Sequence, residues 1–118
     1  LMIGGGRDNL VEGNLFIHCK YGIHLDARGT SWASYYFVDD GKQARNTDMQ
    51  DQIRDYAVNE PPFADRYPML KDYLADQPEL PKYNRLNDNE ARGCVSLMRY
   101  LDGMGDDILE NNEGNRLT

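Results

Sequence analysis

The sequence predicts a mainly β fold, an all-β solenoid of short stacked strands interrupted by a largely helical insertion, and three observations lead there. Residues 9–19 and 84–94 align without a gap, placing Asn9 on Asn84, Asn14 on Asn89 and Cys19 on Cys94 at an offset of 75. A third copy follows, because Ile108-Leu109-Glu110-Asn111-Asn112 matches Leu10 to Asn14 and lies 23 positions beyond Arg85 to Asn89. A unit of 23 residues is too short for a helical repeat and suits one turn of short strands. Asn tolerates left-handed backbone and bonds readily to neighbouring backbone groups. Asn14, Asn89 and Asn112 in register would therefore form an amide ladder that satisfies polar groups inside the coil. The third observation is that helical patterning is confined to the middle of the chain.

Taken in order, Gly4-Gly5-Gly6 reads as a turn between strands, since no Gly-Lys-Ser/Thr follows to make a phosphate loop. Leu10 and Glu12, Leu15 and Ile17, and then Ile23, Leu25 and Ala27 show the period of two expected of strands with one covered face. Removing one 23-residue turn from the offset of 75 leaves 52 residues inserted between Arg28 and Lys82. Within them Gly29 to Val38 is aromatic-rich and fits a strand or an ordered loop equally well. Thr47-Asp48-Met49-Gln50 has the capping-box arrangement, and Met49, Ile53, Tyr56 and Ala57 share one helical face before Asn59-Glu60-Pro61-Pro62 ends the run. A second short helix is predicted from Pro68, with Met69, Leu70, Tyr73 and Leu74 as its stripe and Gln77-Pro78 as its end. In the second copy Glu90, Ala91 and Arg92 stand where the first has Leu15, Phe16 and Ile17, which predicts a less fully packed turn. The resulting plan is a single domain, 1–118, with turns in 1–28 and 82–118 and the insertion in 29–81.

Composition sets the outer limits. The 118 residues carry 13 Lys and Arg against 20 Asp and Glu, a net charge of −7, and the length suits one domain. Leu, Ile, Val and Phe number 24, a lean core supplemented by 8 Tyr, 1 Trp and 5 Met. No apolar run exceeds the four residues Tyr35 to Val38, far short of the roughly 20 that a membrane-spanning helix needs, and no signal peptide is visible. An acidic balance argues against nucleic acid, whose backbone requires clustered cations. Cys19 and Cys94 form no metal-type pair; sharing a repeat position, they are expected to stack as small buried residues, with a disulfide open to them if their turns are adjacent.

The most site-like group is His24, Asp26 and Arg28, with His18 and Lys20 just upstream. Alternate residues of an extended strand share a face about 6.5–7 Å apart, so an imidazole, a carboxylate and a guanidinium would line one outward groove at a spacing that suits a sugar ring. His24 or Asp26 would act as general base, while Arg28 would neutralise a substrate carboxylate or a developing anion. The competing reading is a solvated outer face whose charges compensate each other. Trp32, Tyr35 and Tyr36 offer flat apolar area to a pyranose, or else pack the insertion. A hydrolase would need two carboxylates about 5–10 Å apart, and among 14 Asp and 6 Glu no pair is singled out by spacing. The acidic run Asp102 to Glu113 lacks the order of a calcium loop and reads as a loop entering the third strand.

The run from Gly4 to Gly29, Gly-Gly-Gly-Arg-Asp-Asn-Leu-Val-Glu-Gly-Asn-Leu-Phe-Ile-His-Cys-Lys-Tyr-Gly-Ile-His-Leu-Asp-Ala-Arg-Gly, resembles a turn and a half of the right-handed parallel β-helix proteins. It is most similar to the bacterial secreted ones of the pectate-lyase-like superfold. The likeness covers residues 1–29 well and 81–115 moderately, and Pro61 to Leu70 resembles an insertion of the same group. Members are several hundred residues long, so the chain looks like a fragment. The resemblance implies a carbohydrate-active protein that acts on or binds extracellular polysaccharide. One version is a uronate polysaccharide lyase in which His24, Asp26 and Arg28 are catalytic and His18, Lys20, Trp32 and Tyr35 bind substrate. It also implies a secreted or periplasmic location, and calcium as an assisting ion, with Asp26 and Asp39 or Asp40 as oxygen ligands. The alternative is a non-catalytic solenoid module for adhesion or assembly. Its exposed strand edges and stack faces would favour self-association.

Overall fold

A computed structural model describes residues 1–37, 51 and 53–118, which fall into two units: Leu1–Arg28 with Leu80–Thr118, and Gly29–Glu79. The first unit is built from parallel strands in small sheets. Its strands are β1 (Met2–Gly4), β2 (Leu10–Glu12), β3 (Leu15–Ile17), β4 (Tyr21–Asp26), β5 (Arg85–Asn87), β6 (Glu90–Arg92), β7 (Ser96–Tyr100) and β8 (Arg116–Leu117). They form three sheets, β1-β4-β7, β2-β5 and β3-β6-β8, and every pairing is parallel. The chain visits the sheets in a fixed order, and an isolated parallel bridge between Arg85 and Asn111 extends the second sheet.

The corners explain this layout. The residue before each corner Asn or Cys lies in the left-handed region: Asp8, Gly13, His18, Tyr83, Asp88, Gly93 and Gly114 have φ of 56°, 65°, 52°, 61°, 53°, 60° and 65°. Each left-handed residue turns the chain, and the next corner Asn or Cys in 9, 14, 19 and in 84, 89, 94 arrives five residues later. Only three residues of strand separate consecutive corners, so only the middle one points inward. Those inward residues are Val11, Phe16, Leu86 and Ala91, which join Ile3, Ile23, Leu25 and Leu97 in the core. Full burial of an aliphatic side chain contributes about 1.5–3 kcal/mol, and Ile23, Leu25 and Leu86 are wholly buried.

The alternation expected in β2 and β3 is thereby corrected. Leu10, Leu15 and Ile17 point outward and are about half exposed, because a three-residue strand between corners leaves one inward position instead of two. In β4, which is longer, Ile23 and Leu25 are fully buried, as is Ala27 just after it, in line with the period of two. Glu90 and Arg92 take the outward places beside Leu15 and Ile17, so only Ala91 replaces an inward residue, Phe16.

The offset of 75 is seen directly. Asn84 Oδ1 accepts from the backbone N–H of Asn9 at 3.0 Å and from Asn9 Nδ2 at 2.9 Å, and Asn89 Oδ1 accepts from Asn14 in the same way. Asn84 and Asn89 donate in turn to the carbonyls of Gly6 and Val11, both at 2.9 Å. The third copy is displaced from its expected place. Asn115, not Asn112, stacks on Asn89, whose N–H and Nδ2 both donate to Asn115 Oδ1 at 2.9 Å. The third pass is 26 residues long instead of 23 because it holds the turn at Asp102-Gly103 and a 3-10 turn at Asp106–Ile108. Asn112 accepts from Asn115 Nδ2 within that same corner. The hydroxyl of Tyr100 donates to Asp106 across the loop, and burial together with that carboxylate raises the phenol's pKa.

In the second unit residues 51 and 53–55 are helical; the predicted capping box Thr47 to Gln50 lies outside the described residues, as does Val38. A short helix α1 (Phe63–Arg66) follows Pro62. The helix expected from Pro68 is instead two 3-10 turns, Pro68–Leu70 and Tyr73–Ala75, separated because Asp72 is left-handed at φ 59°. Of the strand or ordered loop expected before them, the described residues form the loop, with 3-10 turns at Arg28–Thr30 and Ser34–Tyr36. Among the described residues no helix is long and apolar enough to cross a membrane.

Candidate functional site

The outer face of the β1-β4-β7 sheet gathers the expected trio. Arg28 clamps Asp26 with two bonds, Nε to Oδ1 at 2.7 Å and Nη2 to Oδ2 at 2.8 Å, and its backbone N–H reaches Oδ1 at 3.3 Å. His24 Nε2 stands 3.5 Å from Asp26 Oδ2. The side chains of Asp26, His24 and Arg28 are 10 %, 17 % and 30 % exposed. The guanidinium lies flat on the neighbouring strand, where Gly4 is the register partner of Asp26; a Cβ at Gly4 would sit 2.2 Å from it. Arg28 Nη2 also approaches Met2 Sδ at 3.0 Å.

This arrangement limits the chemistry. Hydrogen bonding to Arg28 holds the Asp26 carboxyl below its ordinary pKa, so Asp26 is an anion at neutral pH with both oxygens engaged. A carboxylate so stabilised is a weak base. Of the expected calcium ligands, Asp26 has both oxygens bonded to Arg28, and Asp39 and Asp40 lie outside the described residues. Among the described residues no cluster of three or more His, Cys, Asp or Glu is placed to hold a metal ion.

Two further residues complete the face. Arg99 of β7 is the register partner of His24, and its guanidinium carbon lies 4.6 Å from the centroid of the Tyr21 ring. Lys20 Nζ lies 5.4 Å from the same centroid. The ring quadrupole attracts both cations, so both are held at the Tyr21 ring, and Arg99 stands beside His24 in register. Sequence reasoning missed Tyr21 and Arg99. Continuing the gap-free alignment five residues past Cys19 and Cys94 pairs His24 with Arg99 and would have found the latter.

The remaining candidates are dispersed. His18 occupies the left-handed corner between β3 and β4, and its imidazole covers Gly93, where a Cβ would lie 2.8 Å from Nδ1. It is engaged in the corner instead of joining the row of His24. Trp32 and Tyr35 belong to the second unit; Trp32 is 67 % exposed, and the Tyr35 ring packs on Tyr36 at a centroid distance of 4.4 Å. That unit also holds a cleft of about 440 Å³ lined by residues including Phe37, Leu74 and Glu79.

Comparison with family models, with curated proteins and with solved structures gives no match.

Proposed function

We propose that the unit of Leu1–Arg28 and Leu80–Thr118 is a portion of a right-handed parallel β-helix whose first sheet binds an acidic polysaccharide of the uronate class. The single observation carrying this reading is the Tyr21 ring flanked by Lys20 and Arg99, with His24 in the adjoining row. Neighbouring strands stand about 4.8 Å apart and alternate residues about 6.8 Å apart along a strand. This is a grid on which cations meet carboxylates repeated along an extended chain. The fixed order of the strands and their shared register support the coil. The Arg28–Asp26 clamp favours holding a ligand over abstracting its proton.

The test is affinity electrophoresis in gels containing a uronate polysaccharide or a neutral glucan. Retardation in the uronate gel alone, weakened by Arg99→Ala, is the expected result. Equal mobility in both gels would overturn the reading. Ultraviolet-absorbing unsaturated products in the same incubation would move the protein from binder to lyase. A second reading, an assembly module, is favoured by the outward Leu10, Leu15 and Ile17, which are 53 %, 48 % and 53 % exposed; concentration-dependent sedimentation would reveal it.

A further inference from the structure

Cys19 and Cys94 hold the corner position that Asn holds elsewhere. The backbone N–H of Cys19 donates to Cys94 Sγ at 3.3 Å, and Cys94 Sγ lies 3.6 Å from the carbonyl of Phe16. Asn89 makes the same two contacts, to Asn14 and to the Val11 carbonyl. The register is continuous on both sides, with Ile17 beside Arg92 and Tyr21 beside Ser96. Directly paired positions on adjacent strands are separated by about 4.8 Å, inside the Cα separation of roughly 4.4–6.8 Å that a disulfide spans. Both thiols are free, and they differ in access: Cys19 is exposed while Cys94 is partly buried against the core.

We propose that Cys19 and Cys94 form a reversible disulfide that locks β3 and β4 to β6 and β7 and closes the loop containing the second unit. The exposed Cys19 thiolate attacks a small-molecule disulfide such as oxidised glutathione, forming a mixed disulfide and releasing one glutathione thiolate. The Cys94 thiolate then attacks the Cys19 sulfur and expels the second. The protein loses two protons and two electrons, and glutathione disulfide is reduced to two thiols. The corner that serves elsewhere as an amide ladder becomes a covalent rung here, and the loop it closes is 75 residues long.

Incubation of the whole chain with glutathione disulfide, followed by mass spectrometry and thermal unfolding, tests this. The expected product is a monomer two hydrogens lighter, yielding a peptide that joins Cys19 to Cys94. Closing a loop of this length should raise its Tm by about 10 °C, reversibly with dithiothreitol. Cys19→Ser and Cys94→Ser should each remove the gain while folding as before. Two glutathione adducts per chain, a disulfide-linked dimer, or an intramolecular bond that leaves Tm unchanged or lower would overturn the proposal.

Discussion

Gly13 and Gly93 share a backbone conformation, with φ of 65° and 60°, but not a neighbourhood. A Cβ at Gly13 meets nothing within 4 Å, whereas at Gly93 it meets the His18 imidazole at 2.8 Å. Gly13→Ala should therefore cost only the left-handed penalty, about 1–2 kcal/mol. Gly93→Ala adds a steric term of about 1–3 kcal/mol unless His18 moves. Urea unfolding of both variants measures the difference, and adding His18→Ala to Gly93→Ala should abolish it. A difference that survives the second substitution would remove His18 from the corner. Asn89 tests the ladder: it is fully buried, and Asn89→Leu strands the Asn14 N–H and the Val11 carbonyl it now satisfies. Leaving buried polar groups unpaired costs about 1–3 kcal/mol each, so this variant should lose most of the unit's stability in the same assay, while the exposed Asn14→Ala should lose far less. The Asn spacing made the offset of 75 legible because the corner amide of one pass bonds the backbone and side chain of the Asn beside it. The left-handed residue before each corner Asn or Cys was less legible, since Asp, Gly, His and Tyr all fill it.

Elements of this size are fastened by their outward pairs as well as by their cores. Glu90 of β6 accepts from Arg92 Nε at 2.6 Å and Nη2 at 3.0 Å, from Arg116 Nη2 at 2.6 Å and from the Thr118 hydroxyl at 3.1 Å. It thus fastens the two-residue strand β8 to the sheet. Hydrogen bonds from Arg92 and then Arg116 lower its pKa from 4.5 to about 2. The folded value lies below the unfolded one, so the stabilisation is fully present above pH 4.5 and is lost as pH falls toward 2. Asp26, lowered by Arg28, has the same sign. The urea midpoint should accordingly fall as pH drops through this window, and Glu90→Gln should lower the midpoint at pH 7 while flattening its acid dependence. An unchanged slope in that variant would assign the acid loss elsewhere. The sequence made Glu90 and Arg92 look like defects in a packed turn. They face outward, because a three-residue strand buries only its centre, and a period-of-two reading cannot see a strand that short. Likewise Pro68 announced a helix, but the left-handed Asp72 divides the segment into two 3-10 turns, a backbone choice its apolar stripe does not encode.

At the scale of the whole molecule, two electrostatic effects oppose each other. The chain carries −7 and repels a polyanion at long range, whereas on the proposed reading Lys20 and Arg99 attract a uronate chain at contact. Screening acts on the two differently. At about 0.01 M salt the Debye length is roughly 30 Å and the repulsion from the whole chain is felt; at about 0.1 M it is roughly 10 Å and mainly the local face matters; near 1 M it is roughly 3 Å and the contacts weaken too. Affinity for a uronate polysaccharide should therefore pass through a maximum near about 0.1 M salt. A cationic binder of nucleic acid instead falls steadily with salt. Arg99→Ala should lower the maximum by about threefold to fivefold, consistent with an exposed charge pair worth up to about 1 kcal/mol, and leave its position unchanged, since the net charge barely alters. Replacing several Asp and Glu on outward positions away from the sheet by Asn and Gln should instead raise the low-salt limb alone. Isothermal titration at several salt concentrations separates these outcomes. A monotonic decline in the unmodified protein that Arg99→Ala leaves unchanged would mean that the face is not the site of contact.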